Sequence, residues 1–231
     1  MADPRIIVHI GFHKTGTSSI QTFLDDSRDQ LADRGVFYYT GQFAASNHVE
    51  LHCAAMRATR ESPFKVRNGI RPSAAFLTSV GRRIDRFLLT AGTFVFSSEG
   101  ISYLRHRDEL ETLHRIFGGR DIEIVAYVRN RKDWMDSYRA EIARQPAARS
   151  PPDDSYANTT PDSWLLDFDA RLNPFQQAFG RVHVIDYDQV LANDGSVIPS
   201  FFRVTGAEDF LAGRSDWPKY WKNRRSVASL T

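Results

Sequence analysis

Residues 5–24 read RIIVHIGFHKTGTSSIQTFL. Ile6, Ile7, Val8 and Ile10 form a short, nearly continuous apolar run rich in β-branched side chains, the signature of a strand buried on both faces of a parallel sheet. The run stops at Gly11. From Gly11 to Ser19 two glycines and a lysine lie among small hydroxyl residues, and Ile20, Phe23 and Leu24 then recur at helical spacing. This is a strand, a tight turn and a helix whose first amides have no partner within the helix. Such an end attracts anions, because its free N–H groups and the positive end of the helix dipole point the same way. Glycine admits close backbone approach, the hydroxyls add donors and Lys14 adds a full charge.

The phosphate loop of ATPases and GTPases has the form G-x-x-x-x-G-K-[ST]. Gly11 and Gly16 keep that spacing, but Thr17 stands where the lysine is required, and the lysine lies two residues before the second glycine. The stretch resembles instead the 5′-phosphosulfate-binding loop of sulfotransferases that use 3′-phosphoadenosine 5′-phosphosulfate (PAPS). In that family a strand leads into G-x-[PH]-K-[ST]-G-[ST]-[ST], and HIGFHKTGTSSIQ is most like the bacterial and carbohydrate-acting branches. The resemblance implies that His13, Lys14, Thr15, Gly16, Thr17, Ser18 and Ser19 bind the 5′ end of the nucleotide, with Lys14 also catalytic.

Two further stretches bear on the same site. Ile122 to Ile142, IEIVAYVRNRKDWMDSYRAEI, is a buried strand running into Arg129 and then a helix with Trp134, Tyr138 and Ile142. Arg129 and Ser137 match the family's 3′-phosphate pattern, an arginine closing a strand and a serine in the next helix. An arginine suits the task because its fixed fork of donors can hold two phosphate oxygens at once. Thr93 to Gly100, TFVFSSEG, is a strand ending in two serines and a carboxylate, at the sheet edge where α/β proteins bind ligands. Position alone leaves Glu99 open between a ligand-facing group and a solvated turn. The resemblance implies that it is the general base, with His48 and His52 as rivals on chemical grounds.

The chain has 231 residues, 42% hydrophobic and 25% charged, enough for one large core and one domain over residues 1–231. A net charge of +2 does not suggest a nucleic-acid partner. The single cysteine, Cys53, excludes an internal disulfide and fits a reducing compartment. There is no apolar run long enough to span a membrane, and the first strand begins too early for a signal peptide, so a soluble cytoplasmic protein is expected.

Elsewhere, VFYYT predicts a strand over 36–39, and Ser46 or Asn47 a cap for a helix running to Met56. His48, His52 and Cys53 on that helix are a thin basis for a metal site, and no second ligand cluster is evident; no metal is expected, and the histidines are read as solvated or substrate-facing. Residues 59–72, with Arg60, Lys65, Arg67 and Arg71, have the composition of a solvated loop. Ser73 opens an amphipathic helix. Residues 145–161 are an irregular segment expected to be a lid or acceptor loop. Asp162 or Ser163 is expected to start a helix that Pro174 breaks or kinks. Residues 181–191 read as a late strand and 197–204 as a helix. The basic tail reads first as a solvated end, with Lys222, Asn223 and Arg224 only as candidates for nucleotide contact.

Strand-like runs separated by helices imply a three-layer α/β/α fold around a mostly parallel sheet, and the resemblance implies its P-loop-like, sulfotransferase form. The expected function is metal-independent sulfuryl transfer from PAPS to a hydroxyl or amine acceptor, a carbohydrate or small molecule, releasing adenosine 3′,5′-bisphosphate. Two alternatives stay open: a P-loop NTPase or kinase using ATP and Mg²⁺, with Asp186 ending a strand as its metal-holding acid, and a non-catalytic nucleotide-binding module.

Overall fold

The computed structural model describes residues 3–220; the tail carrying Lys222, Asn223 and Arg224 lies outside the described residues. In chain order the elements are β1 (Arg5–His9), α1 (Thr17–Asp26), α2 (Arg28–Ala32), β2 (Val36–Tyr38), α3 (Val49–Ala55), α4 (Pro63–Asn68), α5 (Ala74–Phe87), β3 (Thr93–Ser97), α6 (Arg107–Ile116), β4 (Ile122–Val128), α7 (Arg131–Ile142), α8 (Phe168–Phe179), β5 (Val182–Asp186), α9 (Tyr187–Asp194) and α10 (Val197–Thr205). The five strands form one sheet in the order β2-β3-β1-β4-β5, and every pairing is parallel. In β1, Ile7 pairs with Val95 of β3 on one side and Glu123 of β4 on the other.

Alternation along β1 distributes its side chains to two layers. Ile6, Val8 and Ile10 join Phe94, Phe96, Ile122 and Ile124 in a core closed by Leu51 of α3, Val80 and Ile84 of α5, Leu113 of α6 and Phe175 of α8. Ile7 turns the other way, with Val95, Val125 and Tyr127, onto Ile20, Phe23 and Leu24 of α1 and Ile198 and Phe201 of α10. Both faces are therefore covered, which is why β1 and β4 are apolar almost throughout. Each such side chain contributes about 1.5–3 kcal/mol by leaving water.

Several elements depart from the sequence expectation. The α3 cap position is held by His48, not Ser46 or Asn47. The 59–72 segment contains α4, capped by the Ser62 side chain on the Lys65 amide with Pro63 in its first turn. Two of its four basic residues are not solvated: Arg60 is 2% exposed and Lys65 is buried as well, whereas Arg67 and Arg71 are exposed as expected. Arg60 donates to both oxygens of Glu109 (3.0 and 2.8 Å) and to the Tyr103 carbonyl, and its Nε lies 2.8 Å from Asp154. Lys65 donates to the Arg57 and Arg60 carbonyls. A buried guanidinium is tolerable only with partners of this kind, and removing Glu109 alone is the change that breaks the arrangement, at a cost of about 3–5 kcal/mol.

Pro174 lies inside α8 without ending it, and the helix starts at Phe168, capped by Asp167 on the Ala170 amide, after a short 3₁₀ turn at Trp164–Leu166. Residues 187–191 are helical, not extended: Asp186 ends β5 and caps α9 by accepting from the Gln189 amide. The irregular 145–161 segment is fastened along its length. Glu61 accepts from the Arg149 and Ser150 amides, Arg105 donates to the Asp153 carbonyl, Tyr138 to the Tyr156 carbonyl and Arg139 to the Thr159 carbonyl.

Candidate functional site

Because β1 lies between β3 and β4, the residues that follow these three strands share one sheet edge: the 10–16 loop, Ser98 with Glu99, and Arg129. This is the carboxyl edge of a parallel sheet, where ligands bind in such folds.

The loop is shaped by two left-handed residues, Lys14 (φ 67°) and Gly16 (φ 82°). A side chain at Gly11 is excluded, since a Cβ there would stand 2.3 Å from Thr17 Oγ1 and 2.9 Å from His9 Nε2. The loop carbonyls are taken by donors: Thr15 hydroxyl to Phe12, Trp134 Nε1 to His13 (2.6 Å) and Arg129 Nη1 to Lys14 (3.2 Å). The Thr15 side chain thus closes the loop from inside, while Ser18 is exposed and Ser19 buried. No side chain caps α1, and the amides of Gly16, Thr17 and Ser18 donate to no other described residue. The buried Thr17 hydroxyl makes no hydrogen bond of ordinary geometry, its polar neighbour being the Glu99 carboxylate, towards which it can turn its proton. Unengaged amides and this hydroxyl at a helix N-terminus, with Lys14 beside them, fit a phosphate-like group.

Glu99 opens a 3₁₀ turn (Glu99–Tyr103) directly after β3, and its carboxylate comes within 3.8 Å of His13 Nε2. Its side chain is 22% exposed, so one edge still meets solvent. Burial raises its pKa; the neighbouring His13 and Lys14 pull the other way, and Glu141 adds to the rise. Glu141, from the last turn of α7, lies 3.5 Å from Lys14 Nζ. Lys14 and Glu99 are thus in one cluster, completed by a carboxylate that sequence reading did not single out. Burial also lowers the pKa of His13, which is neutral and stacks on Tyr103 with ring centroids 4.8 Å apart.

Arg129 follows β4 and leans over the loop. Besides its bond to the Lys14 carbonyl, its guanidinium lies 5.1 Å above the Tyr187 ring, and the Asp188 carboxylate stands 3.9 Å from Nε. That buried Nε has no hydrogen bond, so part of the fork is unengaged. Ser137 is half-buried on α7, one turn before Glu141 and on the same side of the helix.

His48 and His52 are neither solvated nor substrate-facing. Both are buried, and burial lowers each pKa to about 3. His48 Nδ1 accepts from the Ser97 amide (2.9 Å), His52 hydrogen-bonds Ser62 (2.9 Å) and Ser98 (3.4 Å), and a Cβ at Gly100 would meet the His52 ring at 2.3 Å. They buttress the turn that carries Glu99. Groups so placed cannot collect a proton from an acceptor, which removes them as rivals to Glu99. Among the described residues no group of three or more His, Cys, Asp or Glu side chains is placed to hold a metal ion.

Sequence reading also missed the aromatic support. Trp134 and Tyr138, one turn apart on α7, stack at 4.6 Å and reach the loop, and Arg171 of α8 lies 3.9 Å over the Phe12 ring. The i, i+4 spacing of Trp134 and Tyr138 was the available signal; nothing local marks Arg171.

No protein-family model matches the chain, and no curated protein matches it. Among solved structures it is similar to a sulfotransferase domain from the curacin biosynthetic pathway (TM-score 0.49, 11% identity, covering 99% of this chain and 81% of that one). It is also similar to a gluconokinase from Sinorhizobium meliloti 1021 (TM-score 0.41, 15% identity, covering 93% of this chain and 100% of that one). Likenesses at this level assign neither a family nor an activity. Among the described residues no helix is long and apolar enough to cross a membrane.

Proposed function

We propose that the chain is a sulfotransferase that moves a sulfuryl group from PAPS to a hydroxyl or amine on a carbohydrate or small-molecule acceptor. The observation that carries the reading is the loop itself: Lys14 in a left-handed conformation two residues before Gly16, beside the free amides of Gly16, Thr17 and Ser18, with Glu99 within reach of the same cluster. PAPS supplies the sulfuryl group and a good leaving group. The loop amides, that of His13 among them, and the Thr17 to Ser19 hydroxyls hold its 5′ end. Arg129, through its unengaged donors, and Ser137 hold the 3′-phosphate.

Lys14 neutralises charge that builds on the leaving phosphate oxygen as the sulfur–oxygen bond breaks, so its attraction is greatest in the transition state. Glu99 accepts the acceptor's proton as the new bond forms, and its partial burial keeps its affinity for a proton above that of an ordinary glutamate. The 145–161 segment, tied to α7 through Tyr138 and Tyr156, walls the acceptor side. Asp186, the acid read for the phosphoryl-transfer alternative, does not support it: it ends the edge strand β5, two places from β1, and its carboxylate caps α9. A lone buried Cys53, with its pKa raised by burial to about 12, accords with a reducing, cytoplasmic setting.

Calorimetry in EDTA tests the proposal. PAPS and adenosine 3′,5′-bisphosphate should bind far more tightly than ATP, and labelled PAPS should report acceptors in a screen. Tight, magnesium-dependent ATP binding with no response to the bisphosphate refutes it.

A further inference from the structure

Behind the loop runs a chain of buried polar groups that the proposed chemistry does not use. His13 Nε2 lies 3.1 Å from the Tyr103 hydroxyl, Tyr103 lies 2.8 Å from the Tyr138 hydroxyl, and Tyr138 lies 2.6 Å from the Tyr156 carbonyl. All three side chains are buried. Tyr156 is held in turn by its own hydroxyl, which donates to the Pro146 carbonyl (2.6 Å).

Proton accounting gives this chain a direction. A carbonyl only accepts, so Tyr138 must donate to Tyr156, and having one proton it must accept from Tyr103. Tyr103 has then spent its only proton, and what it offers His13 is a lone pair. His13 therefore carries its proton on Nε2, and Nδ1, buried and without a hydrogen-bond partner, is the bare nitrogen.

We propose that Tyr103 and Tyr138, anchored on the Tyr156 carbonyl, are positioning residues that fix His13 as the Nε2–H tautomer, its one proton given to the Tyr103 hydroxyl, so that it is not a second base. The consequence for catalysis rests on the sulfotransferase reading. The nitrogen nearest Glu99 is already protonated and the other is enclosed, so His13 cannot relay a proton away from Glu99. The proton taken from the acceptor leaves to solvent by the exposed edge of Glu99. The Nε2–H also turns a positive edge towards the Glu99 carboxylate, 3.8 Å away. The chain ends on the backbone of the 145–161 segment, so a shift of that segment at Tyr156 would release Tyr138 and allow every hydroxyl behind the loop to reverse.

The test reads the tautomer directly. In protein with ¹⁵N-labelled histidine, long-range proton–nitrogen correlation, with the His13 signals identified by their loss in His13→Gln, should show neutral Nε2–H at pH about 7, within the range where an unperturbed histidine titrates. Tyr138→Phe keeps the ring and removes the anchor. The Tyr103 proton then competes for Nε2, and the His13 nitrogen shifts should move towards the average of the two tautomers. Tyr103→Phe removes the acceptor and should move them as well. An Nδ1–H form in the wild type, a protonated His13, or His13 shifts unmoved in both tyrosine variants overturns the proposal. The spectra need no substrate, so they decide the tautomer even if nucleotide binding shows that the sulfotransferase reading is wrong.

Discussion

Lowering the pH from 7 to 5 should weaken the fold through three histidines. His9, His48 and His52 are buried, and burial holds each pKa at about 3, against 6.5 in the open chain. The unfolded chain therefore takes up three protons that the folded one refuses. The stability that depends on their neutrality is whole above pH 6.5, declines below it, and is gone near pH 3. At about 1.4 kcal/mol per pH unit and group, each histidine removes about 2 kcal/mol between pH 7 and 5, or about 6 kcal/mol for the three. That compares with a total stability of about 5–15 kcal/mol for a typical domain. Glu50 and Glu99 oppose the loss, since their pKa values are raised and the folded state gains protons on the way down. A variant isolates one histidine from this balance. Urea titrations of wild type and His48→Gln at each pH should show the variant losing about 2 kcal/mol less than wild type over the same interval. Equal pH dependence in the two proteins, or a His48 titration by NMR with its midpoint near 6.5, refutes the reasoning.

Arg129→Ala should weaken bisphosphate binding by about 1.5–3 kcal/mol, the worth of a hydrogen bond to a charged group. Lys14→Ala should slow turnover on the order of 10²-fold or more with a smaller effect on affinity; equal losses of affinity with no separate rate effect would make Lys14 an anchor only. Glu99→Gln should cut transfer by about 10²–10⁴-fold while bisphosphate affinity stays near wild type. A raised folded pKa means that Glu99 favours the fold below the ordinary glutamate pKa of 4.5 and that this contribution is lost as pH rises through the folded value. The variant should therefore melt no lower than wild type at neutral pH and lose that advantage in acid; a lower melting temperature at neutral pH would refute the assignment.

The parts of this structure legible in the sequence are those coded by neighbours in the chain. The strand at Ile6 to Ile10, the Ser73 cap and the Arg129 strand end follow from local patterns of apolarity and turn chemistry. The α9 error had a local remedy: Asp186 followed three residues later by Gln189 is a helix-start pattern, outweighed by the alternating apolar run before it. The burial of Arg60 had none. Its partners, Glu109 and Asp154, are 49 and 94 positions away, while the acid beside it in the chain, Glu61, bonds the Arg149 and Ser150 amides instead. The same holds for His48, whose partner Ser97 ends a strand 49 positions later, and in part for His52, which bonds Ser62 ten positions on but also Ser98 just past that strand. Within the site, the loop could be read residue by residue, whereas Glu141, Tyr103 and Tyr138 enter only because α7 and the turn after β3 converge on His13 and Lys14.

The sheet order also governs how the chain can be made. β1 is translated before both of its partners, since it pairs only with β3 and β4, and β2 pairs only with β3. No rung of the sheet can close until residues 93–97 have been synthesised. At about 5–20 residues per second that is a wait of roughly 5–20 s. Through that interval Ile6, Ile7, Val8 and Ile10 are a nascent apolar strand with no edge to join, a natural target for a holding chaperone. The loop they lead into is consequently translated ahead of the segments it packs against and assembled late.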